Sequence, residues 1–253
     1  MFPRKIAIAG CLLLLSVIRV TAQTSAASSV ESAKRYVVPI LCVVRDAKTG
    51  NQLITFRTLG SGFIIERDGV FITAQHVIKE LRAEPFKSVC KAAIGIPLGG
   101  WKWENQTIRR FIFNPGECQI NMGVDIAVCR TFDDPTKFKD LVFDSATLAR
   151  TKPAVAEPIG FSGFPLNAID PLTSIGIVAG FEFSSNYNML TVDKGAWPGA
   201  SGSPIYRLDN GEVVGMVLQT GTGPGSGLTY GILGEQIRRI LSDAKANWSK
   251  PKQ

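Results

Sequence analysis

Pro198-Gly199-Ala200-Ser201-Gly202-Ser203-Pro204-Ile205 is the stretch around which the rest of this 253-residue chain makes sense. A serine hydroxyl is a weak nucleophile at its ordinary pKa. Chemistry at Ser201 therefore needs a base within hydrogen-bond reach and backbone amides aimed at a developing oxyanion. The flanking glycines offer a suitable backbone: Gly199 lets its own N–H and that of Ser201 face one point, and Gly202 removes a Cβ where the chain turns tightly. The same eight residues also read as an ordinary Gly/Ser/Pro turn between two strands, so the decision rests on what else the chain supplies.

It supplies one histidine. His76 lies in Phe71-Ile72-Thr73-Ala74-Gln75-His76-Val77-Ile78, where a strand-like apolar run gives way to a short helical pattern. Upstream, Gly60-Ser61-Gly62-Phe63-Ile64-Ile65 is a strand entered through small residues. Downstream, Asp125 interrupts the apolar run Gly123-Val124-Asp125-Ile126-Ala127-Val128. A carboxylate there either faces water at the strand's start or is buried with a partner, because an unpaired buried charge is costly. A histidine N–H is the partner that serine chemistry wants.

The chain order His76, Asp125, Ser201 resembles that of the chymotrypsin-like serine proteases and differs from the subtilisin and α/β-hydrolase orders. Within that family these segments, with Gly211-Glu212-Val213-Val214-Gly215-Met216-Val217, are similar to bacterial trypsin-like proteases of the HtrA type. The resemblance implies an all-β fold: two six-stranded antiparallel β-barrels, the chymotrypsin-like double barrel, with a C-terminal α-helix. It further implies an exported serine endopeptidase that works through an acyl-enzyme on protein or peptide substrates. His76 would be the base, Asp125 its orienting partner, Ser201 the nucleophile, and the amides of Gly199 and Ser201 the oxyanion hole. Gly195, Leu218, Gln219, Thr220 and Gly221 would form the substrate pocket. A second function fits the same residues: a latent or catalytically inactive scaffold of this fold acting as a protein-binding module.

Departures from the family pattern narrow this. The position before the nucleophile is Ala200, not the acid that pairs with a freed N-terminus in digestive relatives, so activation by that ion pair is not expected. Gly195 stands where trypsin-like enzymes carry an acid, and no second histidine is present to read glutamate. A small or apolar side chain at the cleavage position is expected instead. The chain stops soon after its last helix, and a peptide-binding PDZ domain is not expected.

Arg4 and Lys5 precede an apolar run from Ile6 to Ile18 and the small residues around Ala22, the layout of a secretory signal peptide. The run is shorter than the roughly 20 residues of a membrane span, so no stable span remains after cleavage, and the protein is expected to be secreted or periplasmic. Residues 1–22 hold the three cations Arg4, Lys5 and Arg19 and no acid, so their loss lowers the formal charge from +7 to +4. Arg109-Arg110 and Arg238-Arg239 are isolated pairs, not the clustered patch that nucleic acid requires. Cys42, Cys90, Cys118 and Cys129 permit three disulfide pairings, and Cys42 and Cys129, in strand-like apolar runs, read equally as buried thiols. With no CxxC and one histidine, no metal site is expected, and no cofactor motif appears. The glycine loop 221–227 lacks the Gly-Lys-Ser/Thr of a phosphate cradle.

Alternating and continuous apolar runs place strands near residues 36–45, 52–66, 70–74, 87–96, 107–113 and 124–130, then 154–161, 173–183, 189–192, 203–207, 212–219 and 227–232. Turns are expected at Lys48-Thr49-Gly50-Asn51, Asp68-Gly69 and Asp209-Asn210-Gly211. Residues 28–35 read as a short helix or an arm. Residues 233–248 read as an amphipathic helix on the second barrel. The organisation is then a leader at 1–22, a barrel at 23–135, a connection at 136–150, a barrel at 151–232 and a helix with tail at 233–253.

Overall fold

The computed structural model describes residues 26–46, 48, 53–101, 106–121, 123–184, 187–221 and 227–248. The leader at 1–22, the turn after Lys48 and the body of the glycine loop at 222–226 lie outside the described residues.

Helix α1 covers residues 26–36, settling the helix-or-arm choice. It is followed by β1 (Val37–Arg45), β2 (Leu53–Glu66), β3 (Val70–Ala74), α2 (Gln75–Arg82), α3 (Phe86–Val89), β4 (Lys91–Pro97), β5 (Ile108–Ile112), β6 (Gln119–Asn121) and β7 (Ile126–Arg130). The second half holds β8 (Pro158–Gly163), β9 (Leu172–Ser184), β10 (Tyr187–Val192), β11 (Pro204–Arg207), β12 (Val213–Thr220), β13 (Thr229–Leu233) and α4 (Gly234–Trp248).

All strand pairings in the two sheets are antiparallel, and an isolated parallel bridge joins Leu148 to Val213. The second half closes as the six-stranded barrel β10-β13-β12-β11-β8-β9. The first half is a seven-stranded sheet in the order β5-β4-β1-β2-β3-β7-β6. Its ends are drawn together by an isolated bridge between Phe113 and Thr131 and by the Phe132 N–H, which donates to the Ile112 carbonyl at 2.9 Å. Six of its strands thus curl into a barrel, and β6 hangs on β7 as an extra edge. The mostly β architecture with a terminal helix is the one expected.

Local details differ from the sequence expectation for identifiable reasons. The strand expected at 87–96 begins as the helical turn α3, and β4 starts only at Lys91. Three-residue β6 is too short to show a period of two. The strand expected from Val124 starts at Ile126, because Asp125 adopts a left-handed backbone, φ 46°. The β11–β12 connection is a longer loop than a two-residue Asn-Gly turn: Gly211 N–H donates to the Arg207 carbonyl at 3.0 Å and Glu212 N–H to Asn210 Oδ1 at 2.9 Å.

Phe63, Phe71, Phe111, Phe113, Ile40 and Ile94 fill the first half with almost no solvent exposure, and Phe71 meets Phe113 edge-on with centroids 5.0 Å apart. Ile159, Val178, Leu190, Ile205 and Val217 fill the second. Helix α4 lies against β12 and β13 as expected, but also against β7. Its buried Ile237, Ile240 and Ala244 join a core cluster drawn from both halves, Lys245 pairs with Glu66, and Asn247 Nδ2 reaches Gln119 Oε1 at 3.4 Å. Burying each isoleucine contributes about 1.5–3 kcal/mol, so α4 clasps both halves together. Two disulfides select one of the three pairings. Cys42–Cys90 ties β1 to the end of α3 with Cα atoms 5.4 Å apart, and Cys118–Cys129 ties the turn before β6 to β7 at 4.4 Å.

Candidate active site between the two halves

At the end of β3 the chain enters α2 at Gln75, and the preceding Ala74 offers no side chain to satisfy the helix's first amides. Asp125 does so from 49 residues away: His76 N–H donates to Asp125 Oδ1 at 2.9 Å. The Gln75 N–H donates to the Asp125 carbonyl at 3.1 Å. The left-handed turn at Asp125, one that Asp tolerates better than most residues, points its carboxylate back at the helix. The other oxygen, Oδ2, lies 2.8 Å from His76 Nδ1. A carboxylate can only accept there, so Nδ1 carries the hydrogen and Nε2 is left as the acceptor. Histidine and aspartate side chains are 46% and 30% exposed; the pair sits at a surface cleft, at the start of β7. Tyr187 of the second half faces the same acid. Its phenol is held above the ordinary value first by burial and then by the Asp125 carboxylate. Nothing local in the sequence marks Tyr187, because its proximity to Asp125 arises only when the two halves meet.

Ser201 enters the cleft from the turn between β10 and β11. Its hydroxyl donates to the Leu218 carbonyl at 3.0 Å and, among the described residues, not to His76. Leu218 has no register partner in β13, since pairing skips from Val217 to Gln219. Such a bulge re-aims a carbonyl that a regular ladder would consume.

The backbone around Ser201 is held at five successive carbonyls. Trp197 accepts from Ala200 N–H at 3.0 Å, Pro198 from Leu166 N–H at 2.8 Å, Ala200 from Ser203 N–H at 2.9 Å and Ser201 from Ser61 N–H at 2.9 Å. Gly199 accepts from the Ser61 hydroxyl at 2.8 Å. Gly202 N–H donates to Val217 at 2.8 Å, whereas the amides of Gly199 and Ser201 donate to no described residue. Both glycines are required by geometry. Gly199 has φ 95° and a Cβ there would lie 2.8 Å from the Phe164 carbonyl; Gly202 has φ 88° and a Cβ would lie 2.0 Å from the Ser61 carbonyl.

His76, Asp125 and Ser201 line one open cavity of about 650 Å³ together with Leu218, Gln219 and Thr220. Gly195 and Gly221, expected in the pocket, lie outside its lining. Ala196, Trp197, Pro198, Ala200 and Val217 complete the walls, with Trp197 64% exposed at the mouth. Thr220 Oγ1 donates to the Ala196 carbonyl at 2.6 Å and ties two segments of the lining together. Apart from His76 and Asp125 the lining carries no ionisable side chain. Among the described residues no group of His, Cys, Asp and Glu side chains is placed to hold a metal ion.

The arrangement can do one kind of chemistry well: accept a proton from a serine at an imidazole whose tautomer is held by a carboxylate, beside two backbone amides with no partner among the described residues. The family model described as "Trypsin-like peptidase domain" matches residues 60–216, a span that takes in all three side chains. No curated protein matches the chain.

Proposed function

We propose that this chain, which belongs to the trypsin-like peptidase family, is an exported serine endopeptidase of the HtrA-like branch. In the reaction, the Ser201 hydroxyl turns from Leu218 toward His76 Nε2 and gives up its proton as Oγ attacks the scissile carbonyl. Asp125 keeps Nδ1–H in place and stabilises the imidazolium. The tetrahedral oxyanion is bound by the amides of Gly199 and Ser201, each worth roughly 3–4 kcal/mol in such sites. His76 then protonates the leaving amine, an acyl group remains on Ser201, and water removes it by the same proton relay in reverse. The observation that carries this reading is the pair of hydrogen bonds from His76 to the two oxygens of Asp125 on the wall of the cavity that Ser201 shares.

The preferred substrate is a protein or peptide with a small apolar residue at the cleavage position. Support comes from the Thr220–Ala196 hydrogen bond between two residues of the pocket lining and from a lining that, among the described residues, carries no ionisable side chain beyond His76 and Asp125. Export is supported by the basic and then apolar leader and by two disulfides, which persist in oxidising compartments.

The test is a fluorophosphonate serine probe applied to the mature protein, with the adduct located by peptide mass spectrometry. Labelling at Ser201 that vanishes in Ser201→Ala and His76→Ala is expected. A folded protein that takes no label would refute the enzymatic reading and leave a binding scaffold.

A further inference from the structure

We propose that Ser61, a residue of the first half, is the positioning residue that sets the oxyanion-binding amides of the second half; the inference rests on the peptidase reading above. Ser61 is fully buried in β2 and every one of its polar groups is engaged. Its N–H holds the Ser201 carbonyl at 2.9 Å. Its hydroxyl donates to the Gly199 carbonyl at 2.8 Å and accepts the Phe164 N–H at 2.8 Å. Its own carbonyl accepts from Thr73 Oγ1 at 2.7 Å.

A trans peptide unit is planar, with N–H and C=O on opposite sides, so anchoring a carbonyl aims the amide of the same unit. The Gly199 amide shares a unit with the Pro198 carbonyl, anchored by Leu166. The Ser201 amide shares one with the Ala200 carbonyl, anchored by Ser203. The unit between them, Gly199 C=O to Ala200 N–H, decides whether the two amides converge. It pivots on a glycine at φ 95°, a residue whose own preferences oppose rotation weakly. Its N–H end is held inside the turn by the Trp197 carbonyl, and the partner on its carbonyl is the Ser61 hydroxyl.

The same hydroxyl acts a second time. Phe164 begins the turn in which Leu166 and Asn167 stand at φ 53° and 60°, a left-handed conformation that asparagine tolerates but that costs on the order of 1–2 kcal/mol at Leu166. Leu166 is the residue that anchors Pro198. By accepting from Phe164, Ser61 pins the root of that turn. One oxygen, with one hydrogen given and one received, therefore fixes the orientation of the middle unit directly and that of the Gly199 amide through Leu166. Assembly of the oxyanion site then depends on β2 of the first half being docked against the second.

The experiment compares wild type, Ser61→Ala and Ser61→Cys as mature proteins on a peptide anilide. Each is also titrated with a peptide aldehyde, whose adduct places an oxygen at the oxyanion position, and with the corresponding peptide amide, which does not. Thermal midpoints are followed in parallel. Deleting an oxyanion donor outright costs about 10²–10³-fold in kcat. Misaiming two donors in Ser61→Ala is expected to lower kcat by about 10- to 100-fold, with KM within about twofold. Aldehyde affinity should fall by the same factor as kcat while amide affinity holds. Ser61→Cys, whose thiol is a weak donor, should fall between, and it carries the test if the alanine variant does not fold. A folded variant with wild-type kcat, or one whose kcat falls with aldehyde affinity intact, overturns the role of Ser61 alone. Wild type that neither cleaves peptides nor takes a fluorophosphonate overturns the peptidase reading and this inference with it.

Discussion

Replacing Asp125 by asparagine is the sharpest perturbation the geometry offers, because it changes almost nothing except a tautomer. Oδ1 of Asp125 receives the His76 backbone N–H at 2.9 Å, so the asparagine carbonyl must take that position; the reverse orientation would set two donors against each other. The amide NH₂ then occupies the place of Oδ2, 2.8 Å from His76 Nδ1. A donor there forces Nδ1 to accept and moves the ring hydrogen to Nε2. The imidazole can no longer take the Ser201 proton. In Ser-His-Asp enzymes that swap lowers kcat by about 10⁴, which at 1.36 kcal/mol per decade is about 5.5 kcal/mol of transition-state stabilisation. Stability should scarcely move. Asparagine accepts the left-handed φ of 46° as readily as aspartate, the bond at the helix start survives, and a side-chain contact this exposed contributes about 1 kcal/mol or less. The assay is kcat/KM with the fluorophosphonate labelling rate at Ser201, alongside a thermal melt and ¹⁵N shifts of the ring. A folded Asp125→Asn protein within tenfold of wild type would refute the assignment of His76 as base and Asp125 as its orienter.

Two further outcomes follow from the same structure. Tyr36 is held well above an ordinary phenol by burial and then by the neighbouring Tyr206, and Tyr206 is raised by burial, opposed by hydrogen bonds from its neighbours. A raised folded pKa leaves stability intact below the unfolded value near 10 and erodes it above, by up to about 1.4 kcal/mol per pH unit for Tyr36. Urea midpoints measured from pH 9 to 11 should decline steeply, and Tyr36→Phe should flatten the decline; an equal slope in the variant would contradict this. The disulfides close segments of 48 and 11 residues, worth about 4 and 3 kcal/mol by chain entropy. Removing Cys42 and Cys90 as a pair should therefore cost more than removing Cys118 and Cys129, and the reverse order in guanidinium unfolding would count against the entropic account.

Much of the strand order was legible because it is a local property. Runs such as Val37–Val43 and Val70–Ala74 are buried throughout, and the Asp68-Gly69 turn carries its own chemistry. Two of the departures have non-local causes: Asp125 leaves the strand to meet α2, and α4 reaches beyond the second barrel to β7, where Ile237 and Ile240 join a core cluster drawn from both halves. Residues 86–89 instead coil into α3 through backbone bonds of their own, such as Cys90 N–H to the Phe86 carbonyl at 3.0 Å.

The sequence by itself determined which side chains are available: one histidine, an acid in an apolar run, a serine between glycines, and their order along the chain. Those are facts of composition and spacing, and periodicity added the strands that carry them. Only the tertiary structure decided which cysteines pair, that Asp125 holds both the amide and the ring of His76, that the Ser201 hydroxyl rests on Leu218, and that Ser61 grips the Gly199 carbonyl. Each of these joins groups between 11 and 138 residues apart. Hydrogen bonds are directional and reach about 3 Å, so their partners are fixed by how two barrels dock, which no local stretch of sequence encodes.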